Sequence, residues 1–309
     1  MSSNQKLTNS PSAQEQASAD NGAAGLRLTI PTGRIQEKVL GLLDAIGVKM
    51  AKDGRSYKPT CSENGIEIKM LKAQNIPNLV ALGRHDCGFS GYDWITEQRA
   101  DVVELLDLEF DPVRIVAAVP EYLAENDLYK TIDRQLVVAS EYRQLSTDFI
   151  ARNKLNAVFL QTFGATEALP PEDADIIVDN TATGTTLRHN RLVEIEVLMR
   201  STTRFICNRE AYENKEKRRK LDELTMLMQA SLRARDKVLL EMNVAREDFE
   251  RLVGDLPCMR APTISELYNG DGYAVKIAVS SRDVPTLIPK LVALGARDIL
   301  EYKLQKIVI

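Results

Sequence analysis

Ala174 to Leu187 reads ADIIVDNTATGTTL. Ile176, Ile177 and Val178 are apolar and β-branched, so the pattern predicts a strand over 175–178. That strand ends in a carboxylate, Asp179, and a loop of small hydroxyl residues with one glycine follows over 179–186. A carboxylate at a strand tip can accept hydrogen bonds from sugar hydroxyls. The backbone N–H groups of Thr183, Gly184, Thr185 and Thr186 can wrap a phosphate, with Gly184 allowing close approach. Threonine hydroxyls donate further bonds, and a helix starting there would add its dipole. The stretch fits an α/β fold whose loop grips a sugar phosphate. The plainer reading is a threonine-rich strand-turn-helix.

Outward from this loop the alternation continues. Upstream, strands are predicted over 135–139 and 157–160, with helices over 143–153 and around 164–169. Downstream, strands are expected near 193–198 and 204–207. VRIVAAV at Val113 to Val119 is a nearly continuous apolar run, which suits a strand buried on both faces of a sheet. An earlier block opens with LRLTI at Leu26 to Ile30 and turns at Pro31-Thr32-Gly33. It then carries helical spacing through Ile35, Val39, Leu42, Leu43 and Ile46, ending at Gly47. A strand over 66–71, a helix over 76–82 and a strand over 86–90 follow, the last running into the Gly91 turn and a helix from Asp93. Strands alternating with helices imply mainly parallel sheets. Two blocks joined by the Val113 run imply two lobes with a cleft: lobe 1 over 26–115 with 195–210, and lobe 2 over 116–194.

Charges crowd 210–220, and Leu221, Leu224, Leu227, Met228, Ser231 and Leu232 keep helical spacing, so a linker helix is expected over 211–235. Residues 236–309 read as a separate small domain, with strands over 237–242, 273–279 and 297–303 and helices over 246–253 and 284–294. That order suits a ferredoxin-like α+β fold with one strand left to place. Such a domain binds a small effector or serves as a structural appendage. At the other end, 1–25 is polar and cannot bury enough apolar surface to offset its ordering entropy, so a disordered tail is expected.

The 309 residues leave room for two or three domains. Lys and Arg total 40 and Asp and Glu 44, a net charge of −4 that argues against nucleic-acid and anionic-membrane surfaces. A local basic pocket for phosphates is compatible with it. The only histidines are His85 and His189, which excludes a three-histidine metal site. Cys61, Cys87, Cys207 and Cys258 form no C-x-x-C pair and read as buried thiols of a cytoplasmic chain. No apolar run reaches the ~18 residues of a membrane helix, and the N-terminus lacks a secretory pattern.

Four stretches in one order carry a family resemblance. They are PTGRI at Pro31 to Ile35, KMLKAQNIPNLVALGRHDCGFSGYDWI at Lys69 to Ile95, GATEALP at Gly164 to Pro170, and the loop after Asp179. The loop resembles the 5-phosphoribosyl-diphosphate loop of phosphoribosyltransferases, with Asn180 where the common pattern has a second acid. Together the stretches resemble ATP phosphoribosyltransferase. MRAPTISEL from Met259 and LGARDIL from Leu294 resemble the regulatory domain of that family's long form. The resemblance spans 26–309. It implies a two-lobed catalytic region of the type II periplasmic-binding-protein kind, plus a C-terminal ferredoxin-like, ACT-like domain. It also implies the reaction: N1 of the ATP adenine attacks C1′ of 5-phosphoribosyl diphosphate, with Mg²⁺ on the diphosphate, as the first step of histidine biosynthesis. Histidine as feedback inhibitor and homo-oligomers from dimer to hexamer are implied as well.

Site residues follow by matching motifs. The resemblance assigns Glu167, Asp179, Thr181, Ala182, Thr183, Gly184, Thr185 and Thr186 to phosphoribosyl diphosphate. It assigns Gly33, Arg34, Lys72, Gly91 and Asp93 to ATP, with Thr32 where many members have Lys and Asn75 where they have Asp. It assigns Asp236, Met259, Thr263, Val279 and Asp298 to histidine. The diphosphate carries most of the Mg²⁺ coordination, with Glu167 and Asp179 contributing. No nucleophile or base is assigned, because positioning and charge stabilisation suffice for such a transfer. Plainer roles stand beside these: turns for Gly33 and Gly91, a helix cap for Asp93, a solvated helix start for Arg34, and folding for the histidine set. Two other functions stay open at this point, a two-lobed small-molecule binding protein and a phosphoribosyltransferase for another base.

Overall fold

The computed structural model describes residues 25–51, 57–63, 65–257, 261–268 and 270–309. The expected tail, except Gly25, lies outside them, as do Cys258 and Met259. The chain divides into two compact units. One comprises the residues up to Leu40 with Val48–Leu221, and the other Gly41–Gly47 with Asp222–Ile309.

In the first unit, β1 (Leu26–Thr32), β2 (Ile66–Lys72), β3 (Cys87–Gly91), β4 (Val103–Asp107) and β10 (Thr203–Cys207) form a sheet in the order β2-β1-β3-β10-β4. A second sheet contains β5 (Val113–Pro120), β6 (Leu136–Ser140), β7 (Ala157–Gln161), β8 (Ile176–Thr181) and β9 (Leu192–Ser201) in the order β7-β6-β8-β5-β9. The helices along this part of the chain are α1 (Gln36–Ala45), α2 (Ile76–Ala81), α3 (Tyr92–Glu97), α4 (Glu121–Ala124), α5 (Leu128–Thr131), α6 (Arg143–Asn153), α7 (Thr185–His189), α8 (Arg209–Glu213) and α9 (Lys215–Ala234), the C-terminal parts of α1 and α9 belonging to the second unit.

The sheets are mixed, which corrects the expectation of mainly parallel pairing. β1 runs parallel to β2 and β3, and β6 to β7 and β8. β10 lies antiparallel between β3 and β4, and β5 antiparallel between β8 and β9. The antiparallel members are the strands that carry the chain across. β5 already pairs with β9 at Val113↔Ser201, so the crossings fall at 108–112 and at Thr202 rather than at 115 and 195. The ladder extends each strand past the apolar run that announced it. VRIVAAV is buried on both faces, as its composition predicts. Ile115, Ala117 and Val119 pack with Val138, Phe149, Ile176 and Val178, while Val116 and Ala118 pack with Ala139, Ile177 and Leu187. Each such Val or Ile stabilises the sheet by about 1.5–3 kcal/mol.

Other expectations change in detail. The helix around 164–169 is only a 3₁₀ turn at Thr166–Ala168, because Gly164 and Ala165 both take positive φ. The loop after Val178 starts later, since Asp179, Asn180 and Thr181 continue β8 opposite Val116, Ile115 and Arg114. The linker helix is broken at Asn214, whose side chain accepts the N–H groups of Glu216 and Lys217 at 3.1 Å and starts α9 anew. Cys87 and Cys207 are buried opposite each other in β3 and β10, without a disulfide.

The C-terminal unit carries β11 (Lys237–Ala245), α10 (Phe249–Gly254), β12 (Thr263–Glu266), β13 (Gly272–Ser280), α11 (Val284–Ala293) and β14 (Ala296–Lys303). Its sheet is antiparallel in the order β12-β13-β11-β14, the ferredoxin-like arrangement. β12 is the strand the sequence left unplaced. All its residues are exposed, so it lacks the apolar alternation by which strands are read. β11 shows that alternation clearly: Val238, Leu240, Met242 and Val244 pack against Leu252, Leu287 and Leu291.

Candidate functional site

Parallel strands deliver their C-terminal ends to one edge of a sheet, where ligand-binding loops gather. In the first sheet that edge holds Gly33 and Arg34 after β1, Lys72 at the end of β2 beside Thr32, and Gly91 at the end of β3. In the second it holds Glu141 and Tyr142 after β6, the turn after β7, and Asp179 to Thr181 at the end of β8.

A cavity of about 390 Å³ lies among these ends, lined by Arg34, Glu141, Glu167, Asp179, Asn180, the 181–183 turn, Thr185 and Thr186. Of the residues assigned to the sugar phosphate, only Gly184 is not on this wall. It makes the turn itself, with φ +74. A Cβ there would come within 3.0 Å of Arg188 Nη1 and 3.1 Å of Glu194 Oε1. The loop is braced from its own helix. Gly184 N–H donates to Thr181 Oγ1 at 3.0 Å, and Arg188 donates to the Thr183 carbonyl at 3.1 Å and to Thr185 Oγ1 at 3.2 Å. The amides of Thr185 and Thr186 open α7, where the first N–H groups have no acceptor within the helix. They are available to an anion.

Asp179 is half-buried at the strand tip. Its Oδ1 accepts the Asn180 N–H at 2.7 Å and the Asn180 side-chain amide at 3.2 Å. Burial, with the charges of Glu167 and Glu141 added, pushes its pKa up to about 6 despite the Asn180 N–H. Glu141 in turn accepts the Gly164 N–H at 2.6 Å and fixes the turn that carries Glu167. Among the described residues no group of three or more His, Cys, Asp and Glu side chains could hold a metal ion unaided. The carboxylates at this cavity fit a hard divalent cation that brings phosphate oxygens of its own.

A smaller cavity of about 80 Å³ adjoins, lined by Arg34, Gly91, Asp93, Trp94, Asp111, Tyr142, Asn180 and Ser201, among others. Arg34 and Asn180 therefore face both spaces. Gly33 and Lys72 line neither. Asp93 is buried with both carboxylate oxygens engaged. Oδ1 accepts the Ser201 hydroxyl at 2.6 Å and Oδ2 the Tyr142 hydroxyl at 2.8 Å. It does not cap α3, whose cap position is Gly91, but bonds across the lobes. Trp94 stacks on Tyr142 at 4.6 Å. Burial, then the Asp93 charge, raises the tyrosine pKa far above its ordinary value, so the hydroxyl stays protonated.

The sequence reading missed Glu141, Tyr142 and Arg188. The first two directly follow an apolar strand, the same signal that drew attention to Asp179. His85 and His189 line neither cavity. The histidine set is not gathered within the C-terminal unit. Asp236 precedes β11 at one end, while Asp298 accepts the Asn243 side chain at 3.0 Å near the other. Those positions are about 23 Å apart along the strand at its usual rise per residue. Val279 is a core residue, Thr263 lies on edge strand β12, and Met259 is outside the described residues.

A family model described as ATP phosphoribosyltransferase matches residues 72–230, and one described as HisG, C-terminal domain, matches 234–306. An ATP phosphoribosyltransferase of Thermodesulfovibrio yellowstonii is 38% identical over 290 residues, covering 92% of this chain and 98% of that protein. One of Chlorobaculum parvum is 36% identical over 288 residues, covering 92% and 97%. Among solved structures, an ATP phosphoribosyl transferase (HisG:HisZ) complex from Thermotoga maritima is similar, with a TM-score of 0.59 and 23% identity. It covers 66% of this chain and 98% of that one, a likeness of fold.

Proposed function

The chain belongs to the ATP phosphoribosyltransferase family, a pentosyltransferase activity, and from that membership we propose how its residues carry the transfer. N1 of the ATP adenine attacks C1′ of 5-phosphoribosyl diphosphate; the C1′–O bond breaks and diphosphate leaves, giving N1-phosphoribosyl-ATP, the first step of histidine biosynthesis. Asp179 accepts hydrogen bonds from the ribose hydroxyls. The turn over 181–186 surrounds the 5-phosphate with amides and hydroxyls, and Arg188 holds that turn in place. Arg34 faces both cavities and supplies positive charge where the diphosphate departs. Gly33, Lys72 and the Gly91 to Asp93 wall form the ATP side, with Asp93 shaping that wall rather than offering an open acceptor. Glu167 and Asp179 would hold Mg²⁺ together with the diphosphate, and the ion would neutralise charge on the leaving group. No protein nucleophile is needed.

The observation that carries this reading is the meeting of Asp179, the braced threonine turn and Arg34 around one cavity of about 390 Å³. Purified protein given ATP, 5-phosphoribosyl diphosphate and Mg²⁺ is expected to produce a rising absorbance from the adduct. A protein that forms no adduct and binds neither substrate would overturn it. The C-terminal unit serves as a histidine sensor in this proposal. Because Asp236 and Asp298 stand beside opposite ends of β11, a single histidine touches only part of the assigned set in one copy, and a homo-oligomer supplies the rest. The two alternatives, a binding protein and a transferase for another base, give way to the family membership.

A further inference from the structure

One hydrogen-bonded path runs between the lobes along the walls of the two cavities. It begins at Ser201, whose hydroxyl accepts the Asp93 N–H at 3.0 Å and donates to Asp93 Oδ1 at 2.6 Å. Asp93 Oδ2 accepts the Tyr142 hydroxyl at 2.8 Å. The tyrosine oxygen accepts the Asn180 side-chain amide at 3.5 Å, and that amide also donates to Asp179 Oδ1 at 3.2 Å. Asp93 lies on α3 beside the first sheet; Tyr142, Asn180 and Asp179 belong to the second. Tyr142 and Asp93 are 2% and 6% exposed, so water does not compete for the bonds among Ser201, Asp93 and Tyr142, whereas the bond from Asn180 to Asp179 is exposed.

We propose that Tyr142 is a positioning residue for the transfer: its hydroxyl, fixed by Asp93, orients the Asn180 amide, which holds the Asp179 carboxylate toward the sugar. The inference rests on the reading of Asp179 as the ribose-binding acid. Its logic is directional. The tyrosine proton is committed to Asp93, so its oxygen can only accept, and Asn180 must present its amide rather than its carbonyl. An inverted Asn180 would turn a carbonyl toward the carboxylate and repel it.

The same ring stacks on Trp94, the only tryptophan in the chain. Binding of phosphoribosyl diphosphate at Asp179 therefore reaches a built-in fluorophore. In the wild-type protein, phosphoribosyl diphosphate with Mg²⁺ is expected to change the Trp94 emission. Tyr142→Phe keeps the ring and the stack but removes the hydroxyl. It is expected to abolish most of that change, to raise KM for phosphoribosyl diphosphate about fivefold, and to leave KM for ATP within about twofold. Asn180→Ala should do the same, and the double variant should be no worse than either single one. Unchanged KM values in Tyr142→Phe, with its emission change intact, would overturn the proposal. So would fully additive losses in the double variant. If the wild type forms no adduct, the functional reading falls. Calorimetric binding of phosphoribosyl diphosphate, compared between wild type and Tyr142→Phe, then decides the Tyr142 link by itself: equal affinity overturns it and weaker affinity supports it.

Discussion

Asp179 is the stronger acceptor for sugar hydroxyls, and a ligand for a cation, when it is ionised, yet burial and the charges of Glu141 and Glu167 work against ionisation. Its carboxyl takes up a proton as the pH falls through about 6. The expected outcome is a loss of kcat/KM for phosphoribosyl diphosphate below that pH and a plateau above it. Asp179→Asn should be slow at every pH and should lack this inflection; the pH–rate profile of both proteins is the check. Gly184 carries a second expectation at this scale. Its φ of +74 disfavours any side chain, and a Cβ at 3.0–3.1 Å from Arg188 and Glu194 would push those side chains back. Gly184→Ala should cost about 1 kcal/mol of stability. It should also raise KM for phosphoribosyl diphosphate about tenfold, because it displaces the very bonds that brace the turn. A denaturation midpoint and a KM series test the two effects separately. Asp179 and the threonine turn were legible because a strand tip and its loop are contiguous in the chain. Tyr142 was not, because its meaning depends on Asp93, a partner that only the folded lobes bring to 2.8 Å.

Among the elements, legibility followed burial only in part, since the exposed edge strands β7 and β14 were also read, over 157–160 and 297–303. β5 announces itself through apolar residues that pack on both faces and β11 through the alternating core residues Val238, Leu240, Met242 and Val244, and α6 occupies the predicted 143–153. β4 and β12 stand at sheet edges, where one flank faces solvent and the apolar period is lost. α8 begins at Asn208, a buried residue whose side chain accepts the Ala211 N–H at 2.7 Å and donates to the His85 carbonyl at 2.8 Å. One amide side chain thus caps a helix and ties it to the segment before β3. Asn208→Ala should lower stability by about 1–2 kcal/mol, read as a shift in the urea midpoint with an unchanged slope. Arg188→Ala should behave in the opposite manner, with the midpoint hardly moved and KM for phosphoribosyl diphosphate raised, because an exposed guanidinium braces the loop rather than the core.

For the whole molecule, the separation into lobes was legible while their exact borders were not, because crossing strands belong by composition to either sheet and are allotted only by their ladder partners. Charge across the first unit makes a further expectation. Asp86 is buried, which by itself would raise its pKa. Bonds from the Arg27 side chain and backbone and from Lys217 Nζ at 2.9 Å outweigh this and hold the carboxyl below its ordinary value. The stability it contributes is fully present above the ordinary carboxylate value of about 3.9 and is lost as pH falls through the lowered one. Asp86→Asn should leave both cations unpaired, cost about 3 kcal/mol at neutral pH, and flatten the acid limb of a stability–pH curve.

The chain passes between the two sheets at two places, 108–112 and Thr202, and the strands entering and leaving them lie side by side. A door hung on one pin can swing and wobble; hung on two, it can only swing. Two adjacent connections between paired strands oppose twisting of one sheet over the other, so any movement of the sheets is expected about the axis those connections define. Any closure of the two sheets on a ligand would then bring Arg34 back to the cavities along that one arc.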